Sequence, residues 1–351
     1  MTEKNLNVKR YVKAQHDLLS YIVEHRLTAG DKLPIESELA RMFSVSLITM
    51  RRAIGGLVET GIVERFQGKG TFLRKNITEK DSCLGTMLFA ILDQNLPPSF
   101  LFVEDFLRAC WKRGWKLRYV YAYDSDMSGF INAAREADGI FIYGRCGEYA
   151  DPVVNSLKVP KIVIGETRNP LNATYVSIDF AAEITTIMKA LAAQGARRIA
   201  FLNAPYDYIP AQIYGRTFLQ QCRELGLASG ENDLYWDRTG HRKADIVEFF
   251  RKNPLRQYDA VLCEGGLYGF FTTHLLLSGQ TEKLPMIGVL SADPMTEKYD
   301  YEGVFYAVSR EEDLIEKCVD VMIRKMNGRD VPSTVLLRNE IFTPNGRPVT
   351  C

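Results

Sequence analysis

A short basic helix followed directly by a glycine-flanked hairpin offers the clearest chemistry in this sequence. Residues 44–72 read SVSLITMRRAIGGLVETGIVERFQGKGTF. Helical spacing predicts one apolar face, formed by Met50, Ile54, Leu57 and Val58. The polar side chains of the first two turns are then free to face outward, and they belong to Ser46, Thr49, Arg51 and Arg52. Arginine near the N-terminal end of such a helix can form two hydrogen bonds to guanine in the major groove of DNA.

The hairpin tip is predicted to be narrow because two of its residues are glycines. Its sequence is Gln67, Gly68, Lys69 and Gly70, and a tip of this shape can approach the minor groove or the phosphates of DNA. A phosphate-binding loop is excluded by spacing, since that motif needs Ser or Thr after its lysine and Gly70 follows Lys69 here. Helix and hairpin together predict a winged helix-turn-helix that binds DNA. A helical domain with an ordinary hairpin is the remaining alternative.

The charges are distributed unevenly along the 351 residues. The formal net charge is only +1, but residues 1–80 hold 14 lysines and arginines against 9 acidic residues. The rest of the chain holds 30 basic residues against 34 acidic ones. A basic N-terminal part on a mildly acidic body is typical of a module that binds a polyanion such as DNA.

Hydrophobic periodicity predicts the division of the chain into domains. Three helices precede the hairpin, the second of which is expected to turn Leu39 and Met42 inward. From Leu84 onward, eight apolar strand-like runs mostly alternate with helical patterns, which predicts parallel sheets covered on both faces. We therefore predict an α+β winged helix-turn-helix domain over residues 1–74, a polar linker over 75–83, and an α/β domain of two doubly wound lobes over 84–351. The last domain is expected to bind an effector and to dimerise.

Residues 9–74 resemble the GntR-type DNA-binding domain of bacterial regulators. The family pattern is approximately L-P-x-E-x-x-L-A, then V-S-R-x-T-V-R-x-A, L-x-x-x-G-I and G-x-G-T-F. The matching residues are Leu33, Pro34, Glu36, Leu39, Ala40, Val45, Ser46, Thr49, Arg51, Ala53, Leu57, Gly61, Gly68, Gly70, Thr71 and Phe72. Leu47 stands where the family usually has arginine, so one common base or phosphate contact is missing. The resemblance implies that Ser46, Thr49, Arg51 and the hairpin tip carry the DNA contact.

Residues 84–342 resemble the LacI/GalR-type sensor, which has the fold of periplasmic binding proteins. The order of the elements supports this resemblance, together with motifs such as Gly195-Ala196-Arg197-Arg198-Ile199 and Leu284-Pro285-x-x-Gly288. A GntR-type head on such a sensor looks like the arrangement of the arabinose repressors of Gram-positive bacteria. The resemblance implies two lobes that close on a small molecule, typically a sugar.

Two positions that usually hold the sugar in that family differ here. Tyr214 occupies the place of the ligand-holding arginine, and residues 259–266 lack the family's Asn-Asp pair. Because doubly wound sheets bind ligands at the carboxyl ends of their strands, we expect the contacts among the aromatic, polar and charged residues there. These candidates are Asp93, Asn95, Phe100, Tyr143, Arg145, Glu166, Tyr206, Tyr208, Tyr214 and Glu264. Such side chains suit stacking on a sugar ring or enclosing an amine, and a plain packing or surface role is the alternative for each.

The sequence gives little support to catalysis, a metal site or a cofactor. Its four histidines have no metal-binding spacing, it has no G-x-S-x-G motif, and Glu166 with Glu264 is the one acid–base pair that comes into question. The seven cysteines form no C-x-x-C pair, which favours reduced thiols. Neither a signal peptide nor a membrane span is predicted, so we expect a cytoplasmic protein. From the missing motifs we expect no catalytic residues, metal or cofactor.

Together these patterns predict a ligand-responsive bacterial transcription repressor. As a homodimer it would place two heads on palindromic operator DNA, and a sugar or sugar derivative would control its affinity for that DNA. The alternative is a regulator whose sensor has lost sugar binding and responds to a non-carbohydrate metabolite or a protein partner. An enzyme is a remote alternative.

Overall fold

The computed structural model describes residues 3–77, 84–92, 100–123, 126–144, 149–167, 169–237, 242–278, 284–292, 304–308 and 311–349. Contacts divide the chain into two compact units. One comprises Met1–Tyr143, Ser156–Lys161 and Met322–Arg329, and the other comprises Gly144–Asn155, Ile162–Val321 and Asp330–Cys351. Most of the predicted linker lies outside the described residues, so the domain boundaries at 74 and 83 stay a prediction.

Three helices and a hairpin form the N-terminal head, as the periodicity predicts. They are α1 (Glu3–Glu24), α2 (Glu36–Met42), α3 (Leu47–Glu59), β1 (Val63–Phe66) and β2 (Gly70–Leu73). The apolar faces of the helices meet in one core, in which the largest fully buried side chains are Leu18, Ile22, Leu39 and Met50. The two strands pair antiparallel, with Phe66 opposite Gly70. Each element therefore buries its apolar side against the others, which a lone short helix or hairpin could not do.

The first large sheet has six strands in the order β13-β7-β6-β5-β3-β4. These strands are β3 (Gly85–Ile91), β4 (Trp115–Tyr121), β5 (Gly139–Tyr143), β6 (Lys161–Ile164), β7 (Thr174–Ile178) and β13 (Thr334–Leu337). The helices that accompany them are α4 (Phe100–Trp111), α5 (Ser128–Arg135), α6 (Ala150–Ser156) and α11 (Glu311–Met326). The pairings of β3 with β4 and β5, and of β7 with β6 and β13, are parallel. Parallel strands joined by helices bury both faces of a sheet, which explains the nearly continuous apolar runs of β3 and β5.

The second large sheet has the order β14-β12-β11-β10-β8-β9. Its strands are β8 (Ile199–Asn203), β9 (Leu234–Trp236), β10 (Ala260–Glu264), β11 (Met286–Ala292), β12 (Phe305–Val308) and β14 (Glu340–Phe342). The associated helices are α7 (Phe180–Ala193), α8 (Ile209–Glu224), α9 (Arg242–Lys252) and α10 (Gly265–Ser278). All its pairings are parallel except that of β12 with β14. The predicted two doubly wound α/β lobes are confirmed.

The chain passes from one large sheet to the other three times. The crossings follow β7, β12 and β13, so α7 begins directly after the first crossing and β14 directly after the third. The amide of Asp179 donates to the carbonyl of Leu337 at 2.7 Å, which joins the first and third crossings. Within the described ranges, the helices include none long and apolar enough to cross a membrane.

Candidate DNA-binding surface and effector site

The exposed face of α3 combines apolar and cationic side chains. The buried face is formed by Thr49, Met50, Ala53, Ile54 and Leu57. Leu47, Ile48 and Arg51 lie on the other side of the first turns and are exposed. Because residues three or four apart share a helix face, these three side chains form one continuous surface at the N-terminal end of α3. We call Leu47, Ile48 and Arg51 the tip of α3.

Glu36 joins the tip of α3 to the hairpin. Its carboxylate accepts a hydrogen bond from Arg51 Nε at 2.8 Å and another from Arg65 Nη2 at 2.8 Å. Arg65 Nη2 also donates to the backbone carbonyl of Arg51 at 3.2 Å. Exposed ion pairs of this kind contribute little to stability, about 0–1 kcal/mol. Their effect here is to orient: one carboxylate at the start of α2 holds a guanidinium from α3 and one from β1.

Besides Arg51, three predicted DNA contacts interact with other groups of the head. Ser46 caps α3, since its hydroxyl accepts from the amide of Thr49 at 3.1 Å, which confirms the expected N-cap. Thr49 is buried, with its hydroxyl 2.8 Å from that of Ser46, so the expectation that it faces outward is wrong. Arg52 lies over the ring of Tyr11 on α1, 4.7 Å from the ring centroid. The first two side chains help to place α3, and Arg52 packs against α1.

The hairpin tip has the narrow shape that its glycines predict. Gly68 and Gly70 have φ of 76° and 116°, values that favour glycine, and the amide of Lys69 donates to the carbonyl of Phe66 at 3.0 Å. A Cβ on Gly70 would lie 2.8 Å from Cε of Lys32, near the end of a flexible side chain that can move aside, so the positive φ is what favours glycine there. Gln67 and Lys69 are exposed at the tip. The side chains exposed at this tip are therefore the amide of Gln67 and the ammonium group of Lys69.

The candidate effector site lies at the carboxyl edge of the second sheet. Strands β8, β9, β10 and β11 run parallel, so their last residues share one edge, which is where such sheets bind ligands. The polar and aromatic residues found there are Asn203, Trp236, Glu264 and Ser291. Asn203 is buried and holds the start of α8 through a 2.8 Å hydrogen bond to the carbonyl of Ala211.

A buried carboxyl group lies behind this edge. Glu183, in the first turn of α7, accepts from Tyr214 Oη at 3.0 Å and from the amide of Ser291 at 2.6 Å through Oε1. Its Oε2 accepts from Asn339 Nδ2 at 2.6 Å. Tyr214 Oη is also 2.8 Å from Ser291 Oγ. We call Glu183, Tyr214, Ser291 and Asn339 the Glu183 network.

Burial dominates the electrostatics of the Glu183 network. Removal from water raises the pKa of Glu183 to about 7, against the opposing effect of its three hydrogen-bond donors. The nearby charge of Glu264 raises that pKa further. Burial and the negative charge of Glu183 also raise the pKa of Tyr214 well above its ordinary value. The tyrosine is therefore a neutral hydrogen-bond donor, unlike the arginine whose place it takes.

The backbone of β11 is bent to supply this network. Ser291 has φ of 46°, which is uncommon for a residue other than glycine, and the register of β11 against β12 shifts between Val289 and Ala292. Its carbonyl also lies against the start of α10, where a Cβ on Gly265 would be 2.5 Å away from it. The glycine after Glu264 thus lets α10 begin in contact with β11. Glu264 accepts from the amide of Gly266 at 3.1 Å.

The other predicted effector contacts follow strands of both large sheets. Tyr206 is exposed and packs edge-on against Trp236, with ring centroids 5.0 Å apart, and Tyr208 precedes α8. Glu166 follows β6, and partial burial raises the pKa of its carboxyl. Tyr143 ends β5 in the first sheet, stacked on Phe89 at 6.1 Å, and Phe100 opens α4. Three predictions, Asp93, Asn95 and Arg145, lie outside the described residues.

A comparison with known families decides the nature of the head. Residues 10–73 match the model of the gntR family of bacterial regulatory proteins. The head is a GntR-type DNA-binding domain. Its winged helix therefore presents the tip of α3 and the hairpin tip, the two parts from which a recognition helix and a wing are built.

Two curated relatives are similar to part of the chain that carries this GntR-type head. The probable fructoselysine utilization operon transcriptional repressor of Escherichia coli (strain K12) is 41% identical over 69 residues, which are 20% of this chain and 28% of that protein. The arabinose metabolism transcriptional repressor of Geobacillus stearothermophilus is 29% identical over 120 residues, which are 33% of this chain and 32% of that protein. The matches thus span about a third or less of these relatives.

The larger part of the chain is similar in fold to LacI-type regulators. A crystal structure of a regulatory protein of the LacI family from Chloroflexus aggregans superposes with a TM-score of 0.63 at 16% identity, covering 73% of this chain and 96% of that chain. The similarity at this identity shows the fold, and it agrees with the two parallel-sheet lobes described above. The chain thus combines a GntR-type head with a larger part whose fold is similar to that of LacI-type regulators.

Proposed function

We propose that this chain is a bacterial transcription repressor whose affinity for DNA is controlled by a small molecule. The GntR-type head is the observation that carries the proposal, because its tip of α3 and its hairpin tip are exposed together on a domain of a DNA-binding family. The LacI-type lobes supply a place for the small molecule at the carboxyl edge of a parallel sheet. DNA binding and sensing are thereby assigned to different parts of the chain.

The proposed DNA contact has a base-reading part and a positioning part. Arg51 reads a base from the tip of α3, while the wing residues Gln67, Gly68, Lys69 and Gly70 approach the phosphates or the minor groove. Ser46 and Thr49 contribute through the placement of α3. Two such heads in a homodimer bind the two halves of a palindromic operator.

The proposed effector is a sugar or a sugar derivative. Support comes from the two curated relatives, a repressor of arabinose metabolism and a probable repressor of a fructoselysine utilization operon. The aromatic pair of Tyr206 and Trp236 at the sheet edge suits stacking on a sugar ring. An effector changes the affinity for DNA only as far as it binds the two arrangements of the heads with different affinities.

A second candidate is a sensor that recognises something other than a sugar, either a non-carbohydrate metabolite or a protein partner. The observation that favours it is the burial of Tyr214, whose hydroxyl is taken up by Glu183 and Ser291. Calorimetric titration with a panel of metabolites separates the two candidates, since saturable heat from a sugar excludes a sensor that has lost sugar binding.

We assign the chain no catalytic role and place it with its DNA in the cytoplasm. Glu166 and Glu264 are assigned to effector binding in this proposal. The division into a head over residues 1–74, a linker over 75–83 and a sensor over 84–351 belongs to the same proposal. Neither metal nor cofactor is needed for any step of it.

Capture of genomic DNA tests the proposal directly. Sheared DNA from the source bacterium is incubated with the purified full chain, and the bound fragments are sequenced, with Arg51→Ala as the control. We expect a few palindromic sites to be enriched by the natural protein and lost in the variant. Equal enrichment by both proteins would contradict the assignment of Arg51, and no enrichment by either would contradict DNA binding by the isolated repressor.

A further inference from the structure

The tip of α3 exposes two large aliphatic side chains that the head does not use for packing. Ile48 is 79% exposed and Leu47 is 38% exposed, although both lie in the first turn of a helix whose other face is fully buried. Neither belongs to the hydrophobic core of the head. Exposed aliphatic residues at a point that must approach a partner are more informative than single apolar residues scattered over a surface.

The position of these side chains on α3 selects the kind of partner surface. In a helix-turn-helix, the N-terminal residues of the recognition helix meet the edges of the bases in the major groove. The apolar feature of those edges is the C5 methyl group of thymine, and the other bases present donors and acceptors there. An aliphatic side chain at this point gains by covering that methyl group, and it can offer no hydrogen bond to the remaining bases.

We propose that Leu47 and Ile48 recognise thymine in the operator through its C5 methyl group. This inference rests on the proposed DNA-binding function and adds a base preference to it. Arg51 lies on the same face, three residues beyond Ile48 and about 4.5 Å further along the helix. A base pair occupies about 3.4 Å of the DNA axis, so the thymine is placed about one or two base pairs from the base that Arg51 contacts.

The ion pairs of Glu36 orient Arg51 beside Leu47 and Ile48. Arg51 is held by Glu36 through Nε at 2.8 Å, and Glu36 is held in turn by Arg65. The guanidinium group thus has a preferred orientation beside the aliphatic pair before DNA arrives. Each half-site is then expected to combine a thymine for the aliphatic pair with a guanine for Arg51.

Replacement of thymine by deoxyuridine tests the proposal with a single chemical change. Binding sites are first selected from a random double-stranded library with the full chain. Each thymine of the selected site is then replaced by deoxyuridine, which removes only the methyl group and preserves base pairing. We expect one thymine in each half-site at which the affinity falls about three- to fivefold, the effect of one buried methyl-sized group. The other positions should change by less than twofold.

Three variants complete the test. Ile48→Ala and Leu47→Ala shorten the proposed reader, and Val58→Ala shortens an exposed aliphatic residue in the last turn of the same helix. We expect the deoxyuridine effect to disappear in Ile48→Ala or Leu47→Ala and to persist in Val58→Ala. Circular dichroism verifies that each variant is folded.

The possible results distinguish this inference from the function on which it rests. Selection that enriches no sequence contradicts the proposed DNA binding. Enriched sequences with no thymine that responds to deoxyuridine overturn the methyl contact while leaving the repressor in place. A response that is equally large in the natural protein and in both tip variants also overturns the inference, because another residue then contacts the methyl group.

Discussion

At the scale of the residue, the most informative side chain of the sensor is one that sequence reasoning does not select. Tyr214 is selected because it replaces an expected arginine, but its partner Glu183 stands in the helical stretch FAAEITTIMKALAA, where a lone glutamate predicts a solvent-facing position. Its three donors come from residues 31, 108 and 156 positions away in the chain. The burial of Glu183 is thus a tertiary property that no local pattern contains.

The raised pKa of Glu183 makes the stability of the protein depend on pH. A carboxyl whose pKa is about 7 in the folded state and about 4.5 when unfolded binds its proton more tightly in the folded state. Stability contributed by this proton is complete below pH 4.5 and is lost as the pH rises to about 7. Glu183→Gln removes this dependence, so the free energy of unfolding of the variant relative to the natural protein should rise across that interval, by on the order of 3 kcal/mol.

Urea unfolding at a series of pH values measures this difference. Glu231→Gln, an exposed acid that precedes β9, is the matched control and should follow the natural protein at every pH. If the free energies of unfolding of Glu183→Gln and the natural protein run parallel from pH 4.5 to 7, folding does not raise the pKa of Glu183 and the prediction is wrong.

At the scale of the element, the sequence patterns predict the helices and strands of the head and most strands of the two lobes, but they miss four short strands. The three head helices, the hairpin and eight strands of the sensor are found where the sequence places them. The patterns do not predict β9, β12, β13 and β14, which have three or four residues and take their pairing from neighbouring strands. Length alone does not decide this, because β6 is equally short and is predicted. Met42 and Val58 were expected inside but are 49% and 36% exposed, because each lies just off the buried face of its helix.

The junction of α10 with β11 gives a prediction for the element. Gly265→Ala should destabilise the protein by about 1–3 kcal/mol, because the added Cβ meets the backbone carbonyl of Ser291, which cannot move without disturbing β11. Gly269→Ala is the contrasting variant, because Gly269 lies one turn later in the same helix and a Cβ there meets no atom within 4 Å. It should stabilise by about 0.5–1 kcal/mol. Denaturation midpoints of the two variants test this contrast, and equal midpoints would mean that α10 does not begin against β11.

At the scale of the whole molecule, the order of elements predicts the two doubly wound lobes correctly. The proposed homodimer additionally requires a surface on which two copies of the chain meet. We infer that the contact of the proposed homodimer lies on the surface of α4 and the edge strand β4. Apolar side chains are exposed there, namely Leu107, Trp111, Tyr119 and Tyr121. Charges of both signs flank them, including Glu104 and Arg118. In a two-fold symmetric dimer the same surface of both copies meets itself, so acidic residues of one copy can face basic residues of the other.

Dimerisation gives the prediction for this scale. Tyr119→Glu puts a carboxylate on the edge strand β4, where the tyrosine is 59% exposed, and should shift the protein from dimer to monomer in analytical ultracentrifugation. Leu336→Glu is the matched control on the opposite edge strand β13, where the leucine is 50% exposed. It should leave the dimer intact. Dissociation by Leu336→Glu alone would move the contact to the other edge of the sheet.

The central claim is that a small molecule controls how tightly this chain binds its operator. The measurement that tests it is a fluorescence anisotropy titration of a captured operator with the natural protein, alone and with each member of a sugar panel. We predict that at least one sugar changes the affinity for the operator by about 5- to 150-fold, the usual size of such coupling. An operator affinity that no sugar alters would contradict a sugar-responsive repressor.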